Sequence, residues 1–268
     1  MNRVTPVVST ALVSISRFDH PPGEVHRDPD DERAGSFSVN FVESGGFELR
    51  VGRERHRFDP ATLFLTWPGL SFQCRHESET PTDVCVTVDL SETLGRDVAA
   101  TLGGPPAPPS PVVPLTNRLA YLRFALLASA AVDTLGCEAF AGEVLAAALT
   151  PAGHASRLFR HDQLAWYAAR VRRARERLTA EYAEPHTLRG LAREVGMSPF
   201  HFARVFRELT GVPPHRYLRR VRLARAAERL GQGARVTDAC FQCGFSNLGH
   251  FSRSFHRAFG VTPSRYRG

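Results

Sequence analysis

The feature that most constrains this chain is an internal repeat near its C-terminus. His201 to Phe206 recurs 49 residues later as His250 to Phe255, and Gly211 to Tyr217 recurs as Gly260 to Tyr266. Nine of the 17 residues from 201 to 217 are identical to their counterparts. Two copies are too few for a solenoid, which needs at least about three stacked units. The repeat therefore predicts a pair of similar small modules.

The first copy has the sequence pattern of a helix-turn-helix. A short helix from Thr187 is predicted to end at Gly196, because glycine adopts the positive φ that such a turn requires. Ser198 and Pro199 then open a second helix, with serine as the N-cap and proline in the first turn. The apolar stripe at helical spacing consists of Phe202, Val205, Phe206 and Leu209.

The second copy repeats this plan with one additional residue in its turn. The short helix is predicted over Val236 to Cys243, Gly244 forms the turn, and either Ser246 or Asn247 caps the next helix. The residues predicted to face the core of that helix are Phe251, Ser254, Phe255 and Ala258.

A helix-turn-helix places its second helix in the major groove of DNA, with the early residues of that helix against base edges. We expect helices of about residues 199–209 and 247–259 to do so. Arg204 and Arg253 hold equivalent positions, and arginine can bind guanine O6 and N7 with two hydrogen bonds. The alternative for an outward arginine is a solvated surface side chain, and His201 and His250 could instead cap or pack locally. The outward residues, and hence the candidates for DNA binding, are Phe200, His201, Ala203, Arg204, Arg207, Leu248, Gly249, His250, Ser252 and Arg253. The candidates for phosphate contact are Ser198, Arg219, Arg222, Thr237, Asn247 and Arg257.

The distribution of charge favours the same interpretation. Residues 155–268 contain 22 Arg and 8 acidic residues, a net charge of +14, whereas residues 1–154 carry −7. A basic module joined to an acidic one is typical of a nucleic-acid-binding protein with a second role. Further candidates for phosphate contact are the arginines of residues 170–177 and 216–225, for which a solvated helix face is the alternative.

Two longer helices complete the predicted C-terminal module. Pro214 to Leu230 has a continuous apolar face and links the two copies. Gln163 to Tyr182 precedes them and has an apolar stripe at helical spacing. A linking helix of this length could hold two recognition helices in successive major grooves, which are about 34 Å apart.

Residues 163–268 resemble the DNA-binding domain of the AraC/XylS family of bacterial transcription regulators. This resemblance implies seven helices in two helix-turn-helix motifs joined by a long helix, binding to promoter DNA, and transcription activation through RNA polymerase. The segments that carry it are Leu191-Ala192, Gly196 to Ser198, Phe202 to Arg207, Gly211 to Pro214, Tyr217, Arg222 to Ala226, Val236 to Asp238, Cys243 to Ser246, His250 to Phe255, Phe259 to Pro263 and Tyr266-Arg267.

The N-terminal part contains several short strand patterns. A hairpin is predicted over Ser36 to Val51 with its turn at Gly45-Gly46, and further strands follow up to Val88. Such a series indicates a small β-barrel or sandwich, and it resembles the cupin-like sensor domain found in the same family. We therefore predict a two-domain α+β protein. Its predicted parts are a β-rich sensor barrel over 1–102, a Pro-rich connector over 103–114, a helical segment over 115–155 that packs on the barrel or dimerises, and the double helix-turn-helix domain over 163–268.

Two other functions are compatible with parts of the sequence. A cupin-type enzyme fused to a DNA-binding module would need metal ligands, and the candidates His26, His56, His76, Cys74 and Cys85 lack the His-x-His spacing of that class. A metal- or thiol-based redox sensor could use Cys240 and Cys243. The repeat places both at positions predicted to face the core, because they align with Ala192 and Val195. We therefore expect no enzyme activity, no metal and no cofactor.

The first 16 residues lack the basic cluster and long apolar core of a signal peptide, and no apolar run is long enough to span a bilayer. We expect a cytoplasmic, nucleoid-associated protein. A small-molecule effector and a homodimer remain open alternatives, as does the choice between activation and repression.

Overall fold

The computed structural model describes residues 3–19, 31–75, 83–103, 110–130, 133–150 and 157–266. These residues divide into two compact units, 1–160 and 161–268. The first unit combines strands and helices, and the second is helical. This architecture confirms the α+β prediction. Among the described helices, none has both the length and the apolar character that crossing a membrane requires.

The strands of the first unit pair antiparallel in two sheets. They are β1 (Arg3–Ser9), β2 (Val13–Asp19), β3 (Glu32–Arg33), β4 (Phe37–Ser44), β5 (Phe47–Val51), β6 (Glu54–Phe58), β7 (Thr62–Thr66), β8 (Ser71–Arg75), β9 (Val84–Leu90) and β10 (Val112–Pro114). A six-stranded sheet has the order β1-β2-β9-β4-β7-β10, and a four-stranded sheet has the order β3-β8-β5-β6. Both sheets contribute to one apolar cluster, in which Phe58 meets Phe64 with ring centroids 5.4 Å apart.

The predicted hairpin over Ser36 to Val51 was wrong, although both of its strands exist. Strand β4 pairs with β7 and β9, whereas β5 pairs with β6 and β8. The turn at Gly45, which has a φ of +69°, therefore carries the chain from one sheet to the other. Alternation of apolar residues predicts a strand, but it does not specify the partner of that strand.

The described residues of the first unit also form the helices α1 (Glu92–Thr101), α2 (Asn117–Ala130) and α3 (Thr134–Leu149). Helix α3 packs against α2 and against β2, β4 and β9 of the larger sheet. The central strand β4 of that sheet is consequently buried on both faces, and its Val39 and Phe41 are at most 1% exposed, whereas Val4 and Val7 of the edge strand β1 are exposed. The predicted connector over 103–114 is corrected at its end, because Val112 to Pro114 forms an edge strand that pairs with β7. Residues 104–109 lie outside the described residues.

Among the described residues, the second unit consists of helices of 7 to 20 residues and a 3-10 turn at Pro263–Arg265. The helices are α4 (His161–Ala180), α5 (Leu188–Glu194), α6 (Pro199–Thr210), α7 (Pro214–Gly231), α8 (Val236–Gln242) and α9 (Leu248–Phe259). We call α5 and α6 the first motif, and α8 and α9 the second motif. Helix α7 links them and contacts both.

Candidate nucleic-acid interface

The first motif is built by three local signals in the sequence. Thr187 caps α5 by accepting a 3.0 Å hydrogen bond from the Gly190 N–H. Gly196 then turns the chain with a φ of +66°, and the hydroxyl of Ser198 caps α6 by accepting a bond from the His201 N–H. Helix α6 ends at Gly211, which has a φ of +77°.

The second motif uses equivalent signals, with Gly244 at a φ of +78° and Gly260 at +73°. The side chain of Asn247 caps α9 and accepts a 2.8 Å bond from the His250 N–H. The turn bonds also correspond: Met197 N–H donates to the Ala192 carbonyl, as Phe245 N–H does to the Cys240 carbonyl. The additional residue of the second motif therefore lies between Gly244 and the cap. Of the two predicted caps, the structure selects Asn247.

Helices α6 and α9 each pack against an equivalent group of three aromatic rings. In the first motif Phe202 meets Phe206 at 5.5 Å, and Phe206 meets Tyr217 at 5.7 Å in an edge-on contact. In the second motif the corresponding centroid distances are 5.6 Å for Phe251 and Phe255 and 5.3 Å for Phe255 and Tyr266. Because each group fixes the rotation of its helix, the outward faces of α6 and α9 are set by the same packing.

One predicted core residue of α9 was wrong. Ala258 is exposed, although its spacing from Phe251 and Phe255 fits the apolar stripe. At this end of the helix Phe259, itself 37% exposed, has its ring 4.5 Å from that of Phe255 and 5.5 Å from that of Tyr266.

Arg204 and Arg253 occupy the same place in the two motifs, each six residues after the N-cap of its helix. Both side chains are exposed, as are those of Arg207 and Arg257. Within the described ranges, neither Arg204 nor Arg253 forms an ion pair or a side-chain hydrogen bond. Their guanidinium groups are therefore available to an external partner. A Cβ on Gly249 would lie 3.6 Å from Nη1 of Arg253, an ordinary van der Waals contact.

The beginning of each helix presents different side chains. Phe200 of α6 is 81% exposed, and its counterpart in α9 is Gly249. Leu248, the first residue of α9, is 37% exposed. His201 is half-buried: its Nε2 lies 3.1 Å from the hydroxyl of Tyr167 on α4, and the two rings meet edge-on at 5.5 Å. His250 is exposed. The remaining candidates, Ala203 and Ser252, are half-exposed.

The candidates for phosphate contact fall into two groups. Ser198 and Asn247 are exposed N-caps, Thr237 and Arg257 are exposed, and Arg219 is half-exposed. Arg222 is different, because its guanidinium donates hydrogen bonds to three backbone carbonyls, those of Tyr182, Glu184 and Gly244. Arg222 therefore has an internal structural role, and its phosphate contact stays a prediction. Burial lowers the pKa of this guanidinium.

The arginine-rich run on α4 is partly neutralised by carboxylates. Glu194 of α5 pairs with Arg177 and lies 3.4 Å from Arg173, while Arg172 lies 3.8 Å from Glu176. The hydrogen bond from Arg177 lowers the pKa of the Glu194 carboxyl. The contacts of Glu194 join α5 to α4, whereas the pair of Arg172 and Glu176 lies within α4 and, being exposed, contributes little to stability. The arginines on α6 and α9 carry the less compensated charge.

The two cysteines of the second motif are core residues. Cys240 and Cys243 are 0% exposed and belong to one apolar cluster with Phe251 and Phe255, which confirms the predicted burial. Burial also raises the pKa of both thiols. In the described residues no group of three or more His, Cys, Asp or Glu is arranged to hold a metal ion. His26 and His76 lie outside those residues.

Two residues that organise this surface were not predicted in these roles. Tyr167 was expected only as part of an apolar stripe, yet its hydroxyl contacts His201. Arg222 was expected to face DNA. A polar atom on an otherwise apolar stripe could have suggested the first role. The second role depends on a loop that lies 40 residues from Arg222 in the sequence, and no local pattern indicates it.

Residues of the second unit are similar to a family of known proteins. Residues 191–268 match the family described as a helix-turn-helix domain. The segment is similar to the transcriptional activator RhaS of Shigella boydii, with 45% identity over 65 residues that cover 24% of this chain and 23% of that protein. It is also similar to the bifunctional transcriptional activator/DNA repair enzyme Ada of Escherichia coli, with 34% identity over 87 residues, 32% of this chain and 25% of Ada.

A solved structure of a probable AraC family transcriptional regulator from Rhodopseudomonas palustris shares 36% identity. It covers 37% of this chain and 99% of that chain, with a TM-score of 0.35. The match with each of the two curated relatives spans about a quarter of its length.

Proposed function

The C-terminal unit of this chain belongs to the AraC family of helix-turn-helix regulators, and from that premise we propose that the chain is a sequence-specific DNA-binding transcription regulator. Helices α6 and α9 insert into adjacent major grooves of promoter DNA. The observation that carries this proposal is the matched placement of Arg204 and Arg253, each exposed six residues after its N-cap.

The dimensions of the linking helix are compatible with two grooves. Helix α7 has 18 residues, which corresponds to about 27 Å at 1.5 Å per residue. Successive major grooves on one face of a duplex are about 34 Å apart. Helix α6 directly precedes α7, and α9 follows it after the short helix α8. This spacing is compatible with grooves that are one helical turn apart.

The base contacts are assigned by chemistry. Arg204 and Arg253 bind guanine, and Phe200 and Leu248 contact thymine methyl groups. His250, Arg207, Ser252 and the other exposed candidates supply additional base or phosphate contacts. The caps Ser198 and Asn247, together with Arg219, Thr237 and Arg257, lie against the phosphate backbone.

This proposal is tested by selecting duplexes from a random pool with the full chain and mapping the bound DNA with hydroxyl radicals. We expect protection of two patches, about 10 base pairs apart, on one face of the duplex. We also expect the logarithm of the affinity to fall linearly with the logarithm of the salt concentration. Protection of a single patch, or the absence of any selected sequence, would contradict the proposal.

The first unit is proposed to sense an effector. One face of the larger sheet contributes Phe64 to an apolar cluster. The side chain of Asn40 in the same sheet donates a hydrogen bond to the Phe64 carbonyl and accepts one from the Thr87 hydroxyl. A mixed apolar and polar lining suits a small ligand. A screen of small metabolites for a rise in melting temperature tests this role, and a hit that leaves DNA affinity unchanged would count against it.

The regulator is further proposed to act on RNA polymerase and to form a homodimer through the helical segment of the first unit.

The redox-sensor alternative is disfavoured by the complete burial of Cys240 and Cys243. Replacing them with Ala and Val, the residues at the equivalent positions of the first motif, should leave DNA binding insensitive to oxidant and otherwise unchanged. Loss of a regulatory response in this variant would restore the alternative.

A further inference from the structure

The guanidinium of Arg222 joins two parts of the second unit that are distant in the sequence. Its Nε donates to the Tyr182 carbonyl at 2.7 Å, and its Nη2 donates to the Glu184 carbonyl at 2.9 Å. Both carbonyls belong to residues 181–187, which we call the α4–α5 loop. Its Nη1 donates to the carbonyl of Gly244, in the turn of the second motif, at 2.7 Å. The three bonds use three different nitrogen atoms of one planar fork.

The loop and the turn also touch directly. A Cβ on Gly244 would lie 2.5 Å from the Ala183 carbonyl oxygen and 2.9 Å from Cζ of Arg222. The side chain of Tyr182 packs against the apolar cluster of the second motif, and Arg225 lies 5.8 Å from the centroid of its ring. The loop that leads into the first motif is therefore held against the second motif.

This contact is not a requirement of the helix-turn-helix itself. Gly196 occupies the equivalent turn of the first motif and has a similar positive φ, of +66°. A Cβ there would meet nothing within 4 Å, and no side chain among the described residues donates to its carbonyl. The first motif thus forms its turn without such a contact. The three bonds of Arg222 instead hold the α4–α5 loop against the second motif.

We propose that Arg222 is a positioning residue for DNA recognition, which fixes the second motif against the α4–α5 loop and so sets the separation and orientation of the two recognition helices. This proposal rests on the function proposed above. When two binding elements are linked, the second contact gains from a high effective concentration only if the linkage holds the right geometry. A guanidinium bound to three carbonyls supplies that rigidity, because a planar fork loses little freedom for each bond that it forms.

The test compares two duplexes with the full chain: the complete site obtained by selection, and a half-site in which the bases protected by α9 are replaced. Arg222→Met removes all donors while keeping an unbranched side chain. We expect its affinity for the complete site to fall about tenfold, since part of the gain from linkage is lost. Its affinity for the half-site should remain within about twofold of that of the wild type, because half-site binding does not use this gain. Binding is measured well below the lowest melting temperature, so that each variant is folded.

Arg220→Met is the matched control. It removes the same charge from the same helix, but among the described residues the exposed Arg220 side chain bonds neither to the α4–α5 loop nor to the second motif. We expect it to change both affinities by the same factor. A purely structural role of Arg222 would likewise lower both affinities together, in proportion to the folded fraction. An unchanged ratio of the two affinities in Arg222→Met would therefore overturn the proposal.

Arg222→Lys tests the positioning role if the methionine variant fails to fold. Lysine keeps the charge, but its single ammonium group cannot reproduce the planar fork. We expect the ratio of complete-site to half-site affinity to stay below that of the wild type. Full restoration by lysine would show that the charge alone is sufficient, and would reject the positioning role. If the wild-type chain selects no two-patch site, the proposed function itself fails.

Discussion

The backbone of Gly244 lies against the carbonyl oxygen of Ala183, so closely that a Cβ on the glycine would lie 2.5 Å from that oxygen. Glycine is required here for two reasons. Its φ of +78° is unfavourable for other residues, and its missing side chain leaves space for the loop that precedes the first motif. Gly196 meets only the first of these requirements.

Replacement of these two glycines by alanine separates the two requirements. We expect Gly196→Ala to destabilise the protein by about 1–2 kcal/mol through its positive φ alone. Gly244→Ala should cost at least about 2 kcal/mol more, because the loop or the turn must move. Urea denaturation followed by circular dichroism measures both free energies of unfolding. Equal destabilisation would mean that the contact with Ala183 carries no strain.

The outward arginines should affect binding and not folding. Arg204→Ala and Arg253→Ala are each expected to weaken specific DNA binding by about 1–3 kcal/mol and to relax the base preference at one position. The control is Arg96→Ala, which removes an exposed arginine of α1 in the first unit that pairs with Glu92 at 2.5 Å. A titration of each variant against the selected site and its single-base variants makes the measurement. If an arginine variant lost affinity equally for every sequence, its contact would be to phosphate.

The two histidines of the repeat should behave differently, because only His201 contacts the Tyr167 hydroxyl, at 3.1 Å. We expect His201→Ala and Tyr167→Phe each to lower the free energy of unfolding by about 1 kcal/mol, as the loss of one hydrogen bond does. His250→Ala should change stability by less than about 0.5 kcal/mol and weaken DNA binding. Thermal unfolding and a binding titration on the three variants are sufficient. Similar stability losses for both histidine variants would contradict this distinction.

The parts of this structure that could be predicted from the sequence are those specified locally. The turn glycines, the caps and the phenylalanine stripes lie within about 12 residues of one another, and their chemistry is tied to one backbone conformation. For this reason the predicted bounds of α6, α7 and α9 differ from the observed ones by a few residues. The matched positions of Arg204 and Arg253 follow from those bounds.

The parts that could not be predicted depend on contacts between distant segments. Arg222 looks like any other outward arginine until the α4–α5 loop is placed beside it. In the same way, β4 and β5 look like a hairpin, because alternating residues do not reveal that the chain changes sheets at Gly45. Strand β10 was hidden by the prolines around it, although an edge position tolerates proline.

The buried thiol of Cys85 gives a prediction for alkaline pH in the first unit. Cys85 is 7% exposed, and burial, reinforced by the neighbouring Asp83, raises its pKa above the ordinary value of 9.0. Because the folded pKa is the higher one, this thiol contributes stability that is fully present below pH 9 and is lost as the pH rises, since the unfolded chain ionises first. At pH 10 the loss should be about 1.4 kcal/mol.

Cys85→Ala removes this ionisation and therefore provides the comparison. The variant is less stable than the wild type at pH 7, because a small cavity forms, but the difference should narrow by about 1.4 kcal/mol at pH 10. Urea unfolding at pH 7, 8, 9 and 10 under reducing conditions gives both profiles. Parallel profiles would mean that the thiol ionises as readily in the folded protein as in the unfolded chain.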